Sequence, residues 1–195
     1  MRIIFLRFIF LCFGAAALSG CMEVSGVWTG ASMIYDRHEL YKKFNDYQLA
    51  AVANRALYHD TLFKREGVII DVAALNGDLL IVGHVPSESL RQVATRRITN
   101  EKLHYRRFFN QIAVGNYPDN TVEDSWITAK IRSLIVADAE INPNQFKVIT
   151  VDKVVYLMGD ALAEDAIRVI NIARGTAGVI RVVKLFKFYR YLETT

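Results

Sequence analysis

The hydrophobic and polar positions of this chain follow the same order twice. The segments DYQLAAVANRALYHD (residues 46–60) and DSWITAKIRSLIVAD (residues 124–138) align residue for residue without a gap. Both begin with aspartate, which predicts that Asp46 and Asp124 cap the first turn of a helix. Both then repeat apolar residues at helical spacing, which predicts a buried stripe on each helix. Its members are Leu49, Ala53, Ala56 and Leu57 in the first copy and Ile127, Ile131, Leu134 and Ile135 in the second.

Two short alternating apolar runs follow each helix and predict a hairpin. In the first copy VIIDVAAL and LLIVGHV flank Asn76 and Gly77, a pair that suits a two-residue turn because both positions need positive φ. In the second copy FKVITV and VVYLMGD flank Asp152 and Lys153. Lysine fits positive φ poorly, so a looser turn is expected there.

A second helix and a final strand complete each copy, at residues 87–99 and 108–114 and again at 163–174 and 182–188. The order helix, strand, strand, helix, strand lets two helices cover one face of a small sheet. The predicted fold class is therefore α+β, with two tandem αββαβ modules, each a three-stranded mixed sheet covered by two helices. The modules are assigned to residues 45–115 and 123–190, and the polar stretch 116–122 is assigned as their linker.

The amino terminus has the layout of a secretory signal. Arg2 and Arg7 accompany an apolar run, small residues follow, and the segment ends in Leu-Ser-Gly-Cys at Cys21. That ending resembles the lipobox of bacterial lipoproteins. The resemblance implies a signal peptide at residues 1–20, cleavage before Cys21, and a diacylglycerol and an N-acyl lipid on that cysteine, followed by a tether at residues 21–44. The alternative is a signal peptide that ends near a cysteine by chance.

Composition adds little beyond this picture. The formal charge of +4 falls to +2 when Arg2 and Arg7 are removed with the signal, which is too mild to indicate nucleic acid binding. Cys12 lies in the signal and Cys21 would carry lipid, so no disulfide is expected in the mature chain.

Candidate chemistry is sparse along the whole chain. Ser87 and Ser89 are predicted to cap a helix, since no positioned base accompanies them. No histidine has metal-ligand spacing to another ligand, and each is expected on the surface or in a loop. The four are His38, His59, His84 and His104. The sequence therefore predicts no enzyme, no metal, no small-molecule substrate and no cofactor apart from the covalent lipid.

A basic and aromatic cluster lies near the end of the first module. Such a composition can meet nucleic acid, anionic lipid or protein, but a solvated helix end beside a core strand is the favoured interpretation. The cluster comprises Arg96, Arg97, Lys102, Arg106 and Arg107 with Tyr105, Phe108 and Phe109.

The tandem pattern resembles the BON family of small αββαβ modules in bacterial envelope proteins. The resemblance rests on Gly83 and Gly159 in the hairpins, on AIRVINIARGTAGVIRVV in the second copy and on FFNQIAVG in the first. With the lipobox in front, the chain is similar to the dual-BON-domain outer-membrane lipoproteins. The first copy lacks counterparts of Gly175 and Gly178, which leaves the end of its second helix open. Met22 stands where lipoproteins retained at the inner membrane carry aspartate, so the resemblance implies a lipid anchor in the outer membrane, facing the periplasm.

The second module differs from the first on the outer side of its first helix. Trp126, which matches Gln48 of the first copy, projects opposite the apolar stripe, together with small or apolar residues and flanking cations. A tryptophan near cations suits a membrane interface. The resemblance implies that this helix binds anionic phospholipid, either phosphatidylglycerol or cardiolipin. It implicates Trp126, Lys130, Ser133 and Val136, to which helical geometry adds Arg132. The alternative is that Trp126 packs on the linker or on the neighbouring module.

The function expected from the sequence is therefore that of a non-enzymatic outer-membrane lipoprotein. It would bind anionic phospholipid and support outer-membrane integrity, with recruitment to curved or division-site membrane as a further expectation. A rival hypothesis is a periplasmic protein-docking module, in which the same face binds the outer-membrane β-barrel assembly machinery or a cell-wall regulator. A weaker third is an osmotic-stress periplasmic protein with chaperone-like binding.

Overall fold

The computed structural model describes residues 37–189, with side chains from residue 42 onward. The signal peptide, Cys21 and most of the predicted tether lie outside the described residues. The elements are α1 (Arg37–Tyr58), β1 (Ile69–Leu75), β2 (Asp78–Val85), α2 (Glu88–Asn100), β3 (Arg107–Val114), α3 (Thr121–Ala137), a 3-10 turn (Pro143–Gln145), β4 (Phe146–Val151), β5 (Val154–Ala161), α4 (Ala163–Gly175) and β6 (Arg181–Phe188). Within the described residues, no helix is long and apolar enough to span a membrane.

Two three-stranded sheets form, in the orders β1-β2-β3 and β4-β5-β6. In each sheet the first two strands are antiparallel and the third runs parallel to the second, so that Asp78 pairs with Arg107 and Val154 pairs with Arg181. The predicted α+β fold with two αββαβ modules is confirmed. The two modules belong to one compact unit of the chain.

The helices cover one face of each sheet through the predicted apolar stripes. All four stripe residues of α1 are buried, and so are Ile127, Ile131 and Ile135 of α3. Leu134 was wrongly assigned to this stripe, because its side chain is 37% exposed. It lies about 100° from Ile135 around the helix, at the margin of the buried side.

Both first helices begin earlier than the sequence predicted. The helix α1 starts at Arg37, within the segment assigned to the tether, and α3 starts at Thr121 with Asn120 as its N-cap residue. Asp46 and Asp124 therefore lie inside their helices, and the prediction that they cap them is wrong.

These two aspartates bind the hairpin turns instead. The Asp46 carboxylate accepts hydrogen bonds from the amides of Asn76 and Gly77 at 2.7 and 2.8 Å. The Asp124 carboxylate accepts from Asp152 and Lys153 at the same two distances. Asp152 and Lys153 adopt φ angles of 53° and 61°, so the second hairpin has the same kind of tight turn as the first. The looser turn expected there is wrong, because the bonds to Asp124 hold lysine in a conformation that it otherwise disfavours.

The strands β2 and β5 are buried on both faces, not on alternate residues as predicted. Every residue of β2 is buried, and so is all of β5 except Asp160. Side chains that point away from the helices form a third core between the two sheets. A strand that is buried on both faces has a nearly continuous run of apolar residues in its sequence. Its members are Ala73, Leu80, Val82, Val151, Val154, Tyr156, Met158 and Leu185.

Charged groups join the modules at one end of this core. Arg106 donates to the carboxylates of Asp78, at 2.8 and 2.7 Å, and of Asp160, at 2.7 Å. Arg107 pairs with Asp78 and donates to the Phe186 carbonyl oxygen at 3.2 Å. Arg106 and Arg107 are thus structural ion-pair partners, and interpreting them as part of a solvated helix end is wrong.

His84 joins the modules at another point. Its side chain is buried, its Nδ1 lies 2.8 Å from an Asp152 carboxylate oxygen, and its ring stacks on Tyr117 with the centroids 4.9 Å apart. The expectation of a surface or loop position is wrong for His84, because its partner comes from the other module. His59 is exposed and pairs with Asp60.

Glycine is required where β1 and β2 pair. Gly83 has a φ of 151°, and a Cβ at this position would lie 1.8 Å from the Ile69 carbonyl oxygen.

The second helix of the first module ends at Asn100 without a glycine, and Lys102 takes a φ of 49° in the turn that follows. A left-handed lysine thus turns the chain after α2.

Candidate functional site

The outward side of α3 presents a continuous row of apolar and small residues to solvent. Trp126 is 56% exposed and Val136 is 68% exposed. Ala129 and Ser133 are exposed between them. The structure therefore brings the predicted apolar and small residues together on one face, opposite the buried stripe, as helical periodicity requires.

Val122 extends this face by one turn and was missed by the sequence prediction. It is 85% exposed and lies four residues before Trp126, so the two share one side of the helix. The prediction began the helix at Asp124 and left Val122 in the linker. The i, i+4 spacing of two large apolar residues was the available signal. We call the row Val122, Trp126, Ala129, Ser133 and Val136 the outer face of α3.

The exposure of Trp126 does not support packing on the linker or the first module. Its side chain belongs to none of the three buried clusters. A tryptophan ring has a large apolar area, so leaving more than half of it in water is unfavourable unless another surface covers it.

Two cations border the outer face without acidic partners. Lys130 and Arg132 are exposed, and neither forms an ion pair with any residue that the structure describes. Two acids from the ends of this segment are engaged elsewhere, since Glu123 pairs with Lys153 at 2.6 Å and Glu140 pairs with Arg168. The middle of α3 therefore carries two uncompensated positive charges.

Lys147 of β4 is half-buried and lies across the strand pair from Met158, on the sheet face that points away from α3. Burial lowers the pKa of Lys147, and the positive charge of Arg132 lowers it further, while Asp46 acts in the opposite direction.

Ser133 contributes through its size more than through its hydroxyl proton. Its Oγ donates to the Lys130 carbonyl oxygen at 2.8 Å, so the proton is used within the helix and the oxygen remains an acceptor. A small side chain here leaves space between Trp126 and Val136.

The matching helix of the first module has a different exposed surface. Gln48 occupies the position of Trp126 and is exposed. Phe44 and Tyr47 are exposed on the same helix, Tyr47 by 73%. Exposed aromatic residues thus occur on both first helices, but tryptophan beside unpaired cations is a feature of α3.

The described part of the chain brings together no group of three or more His, Cys, Asp or Glu side chains that could hold a metal ion. The side chains collected on α3 suit contact with an apolar, anionic surface.

Comparison with known proteins identifies the family of this chain. Residues 123–188 match the family model of the BON domain. A protein of Anaplasma centrale, named for the gshII 5′ region, is 31% identical over 134 residues, which cover 67% of this chain and 85% of that protein. The chain belongs to the BON-domain family.

One relative that matches along most of the chain is outer membrane lipoprotein DolP of Haemophilus influenzae. It is 25% identical over 175 residues, which cover 88% of this chain and 90% of that protein. The 21 kDa hemolysin of Actinobacillus pleuropneumoniae is 29% identical over 126 residues, which cover 64% of each chain. The predicted membership of the BON family is confirmed, and the chain is similar along most of its length to an outer membrane lipoprotein.

Proposed function

We propose that this protein binds anionic phospholipid, phosphatidylglycerol or cardiolipin, through the outer face of α3 and the flanking Lys130 and Arg132. A diacylglycerol and an N-acyl lipid on Cys21 anchor it in the outer membrane, facing the periplasm. The contact supports the integrity of that membrane. It also recruits the protein to curved or division-site regions of the membrane. The observation that carries the proposal is the 56% exposed Trp126 beside two unpaired cations.

The chemistry of the face fits the interfacial layer of a bilayer. A tryptophan ring lies at headgroup depth, where its apolar body meets acyl chains and its N–H meets polar groups. Val122 and Val136 extend the apolar contact along the helix. Each basic residue near an anionic surface contributes about 1 kcal/mol, so Lys130 and Arg132 give the contact its preference for anionic lipid.

Because the lipid anchor already holds the protein at the membrane, a weak contact by the outer face of α3 is sufficient for that face to lie on the surface. A protein held at a membrane by lipid has a high effective concentration of headgroups around it. The helix face therefore needs only a few kcal/mol to lie on the surface most of the time. The likeness to DolP, whose name states that it is an outer membrane lipoprotein, supports this arrangement.

Flotation of the Cys21-less soluble protein with liposomes tests the lipid contact. We expect it to float with vesicles rich in phosphatidylglycerol or cardiolipin and not with neutral vesicles. Trp126→Ala should weaken this binding about tenfold, which corresponds to about 1.4 kcal/mol. Tyr47→Ala, on the matching helix of the first module, should leave it unchanged.

Two results would contradict the proposal. The first is an absence of flotation with any vesicle. The second is binding that ignores both Trp126 and anionic lipid content. Either would favour the rival hypothesis that the outer face of α3 docks a protein of the outer-membrane assembly machinery or a cell-wall regulator.

Metabolic labelling tests the anchor independently. Cells that express the full chain and receive a labelled fatty acid should label the wild-type protein, and Cys21→Ser should remain unlabelled. Label retained by Cys21→Ser would refute a lipid on this cysteine, whatever the flotation result.

A further inference from the structure

The strand β6 forms an open edge of the second sheet. It pairs with β5 on one side and, among residues 37–189, with no strand on the other. An edge strand leaves a row of backbone N–H and C=O groups available to another strand. Arg107 donates to the carbonyl oxygens of Leu185 and Phe186 at 3.5 and 3.2 Å, so its guanidinium lies beside this part of the strand. No described strand pairs with the outer side of β6.

At the matching edge of the first module, a side chain engages one backbone amide. Asn110, the fourth residue of β3, accepts from the Ile112 amide at 3.1 Å and donates to the Thr95 hydroxyl of α2 at 2.7 Å. The fourth residue of β6 is Lys184, which makes no such bonds in the described part of the chain. The two modules share one topology, and both third strands lie at a sheet edge, but among the described residues only β3 has an amide engaged in this way.

Basic side chains line the open strand. Lys184 and Lys187 are exposed, and neither side chain forms an ion pair or a hydrogen bond with any described residue. Arg181 is exposed at the start of the strand, and the strand contains no acidic residue. Phe188 is 58% exposed at its end, with its ring 6.0 Å from that of Phe186. The edge thus combines positive charge with an apolar end.

The charge of this edge selects its partner. Pairing with a second copy of β6 would bring lysine and arginine side chains together, and like charges on neighbouring strands are destabilising. A strand that carries glutamate or aspartate would place opposite charges there instead. Backbone pairing supplies affinity in such complexes, and side chains supply specificity.

We propose that β6 is a docking edge for an extended acidic segment of a partner protein, which joins the second sheet as a fourth strand. This contact uses the strand at the sheet edge, whereas the proposed lipid contact uses the outer face of α3. The two surfaces can therefore be tested separately on the same protein.

Fluorescence anisotropy with the full chain in detergent micelles tests the proposal. The probe is a labelled ten-residue peptide in which pairs of glutamates alternate with pairs of valines, so that both faces of the strand carry acid, and it is compared with a peptide in which lysine replaces glutamate. We expect only the acidic peptide to bind, and N-methylation of alternate amides should abolish its binding because the incoming strand loses its backbone donors. Lys184→Glu with Lys187→Glu should weaken binding at least about tenfold.

A matched control reverses the same amount of charge in the first module. Lys64→Glu with Arg65→Glu changes two exposed residues of the loop before β1 and should leave peptide binding unchanged. Circular dichroism should show the same fold for both double variants, since all four side chains are exposed.

Three results would overturn the proposal. Failure of the acidic peptide to bind would mean that the lysines only prevent pairing between copies. Binding that survives N-methylation would mean charge attraction without strand addition. Loss of flotation on anionic vesicles in the Lys184→Glu, Lys187→Glu variant, without peptide binding by the wild type, would assign the basic edge to lipid.

Discussion

At the scale of single residues, the sequence identified Asp46 and Asp124 as a repeated pair but predicted the wrong role for them. An aspartate at the apparent start of an apolar helical pattern predicts a cap, yet both side chains reach the hairpin turn of their own module. They are buried, and each accepts two backbone amides. Burial raises the pKa of the Asp124 carboxyl although the two amides act in the opposite direction. The repeated aspartate therefore fixes helix and hairpin together.

Asp124→Ala should destabilise the protein more than Asp46→Ala. Loss of two bonds at a buried turn should cost about 2 kcal/mol, and the second turn also loses the support that holds Lys153 at positive φ. Asn76 and Gly77 adopt this turn readily on their own. Urea unfolding followed by circular dichroism measures the free energy of unfolding. Adding Lys153→Gly to Asp124→Ala should recover about 1 kcal/mol, and equal costs at both aspartates without recovery would contradict this account.

At the scale of elements, α3 has two faces with separate roles. Its isoleucine stripe packs on the second sheet, and its outer face carries Val122 and Trp126 without a protein partner in the described part of the chain. Helical periodicity identified the outer face, since the direction of a side chain around a helix follows from sequence spacing alone. The sequence prediction missed the first turn of α3 because Asp124, which lies inside the helix, was taken for its first residue.

Reversing the two unpaired charges of α3 should remove the preference for anionic lipid. In Lys130→Glu with Arg132→Glu, two attractive charges become repulsive near an anionic surface, so flotation with phosphatidylglycerol vesicles should fall more than tenfold at low salt. The wild-type protein should lose affinity as salt is raised. Lys64→Glu with Arg65→Glu is the matched control, and an equal loss in that variant would indicate that net charge alone matters.

At the scale of the whole molecule, the two modules form one unit through a shared core and charged groups at its ends. Tyr156 and Met158 of the second sheet pack with Leu80 and Val82 of the first. Arg106 joins Asp78 of one module to Asp160 of the other. Removing either module would expose this apolar surface, so the pair is expected to unfold together.

The charged junction should make stability depend on pH. Burial disfavours the ionised Asp78, but hydrogen bonds and charge from Arg106 and Arg107 outweigh it and hold the pKa of its carboxyl below the usual value. Because the folded pKa is lowered, this stabilisation is present above the unfolded pKa, about 3.9, and is lost as pH falls through the folded value. Urea unfolding from pH 6 to pH 3 should show a steeper loss for wild type than for Asp78→Asn. Glu66→Gln, at an exposed carboxylate, should retain the wild-type slope.

The sequence by itself determined the repeated αββαβ order, the buried stripes of α1 and α3, and the outward position of Trp126. Each of these follows from periodicity among residues a few positions apart. Tertiary structure decided what the aspartates bind, that His84 is buried against Asp152, and that β2 and β5 are covered on both faces. The physical reason is distance along the chain, since Asp124 meets its amides 28 and 29 residues away and His84 meets Asp152 at a separation of 68. Only the folded chain brings such groups together.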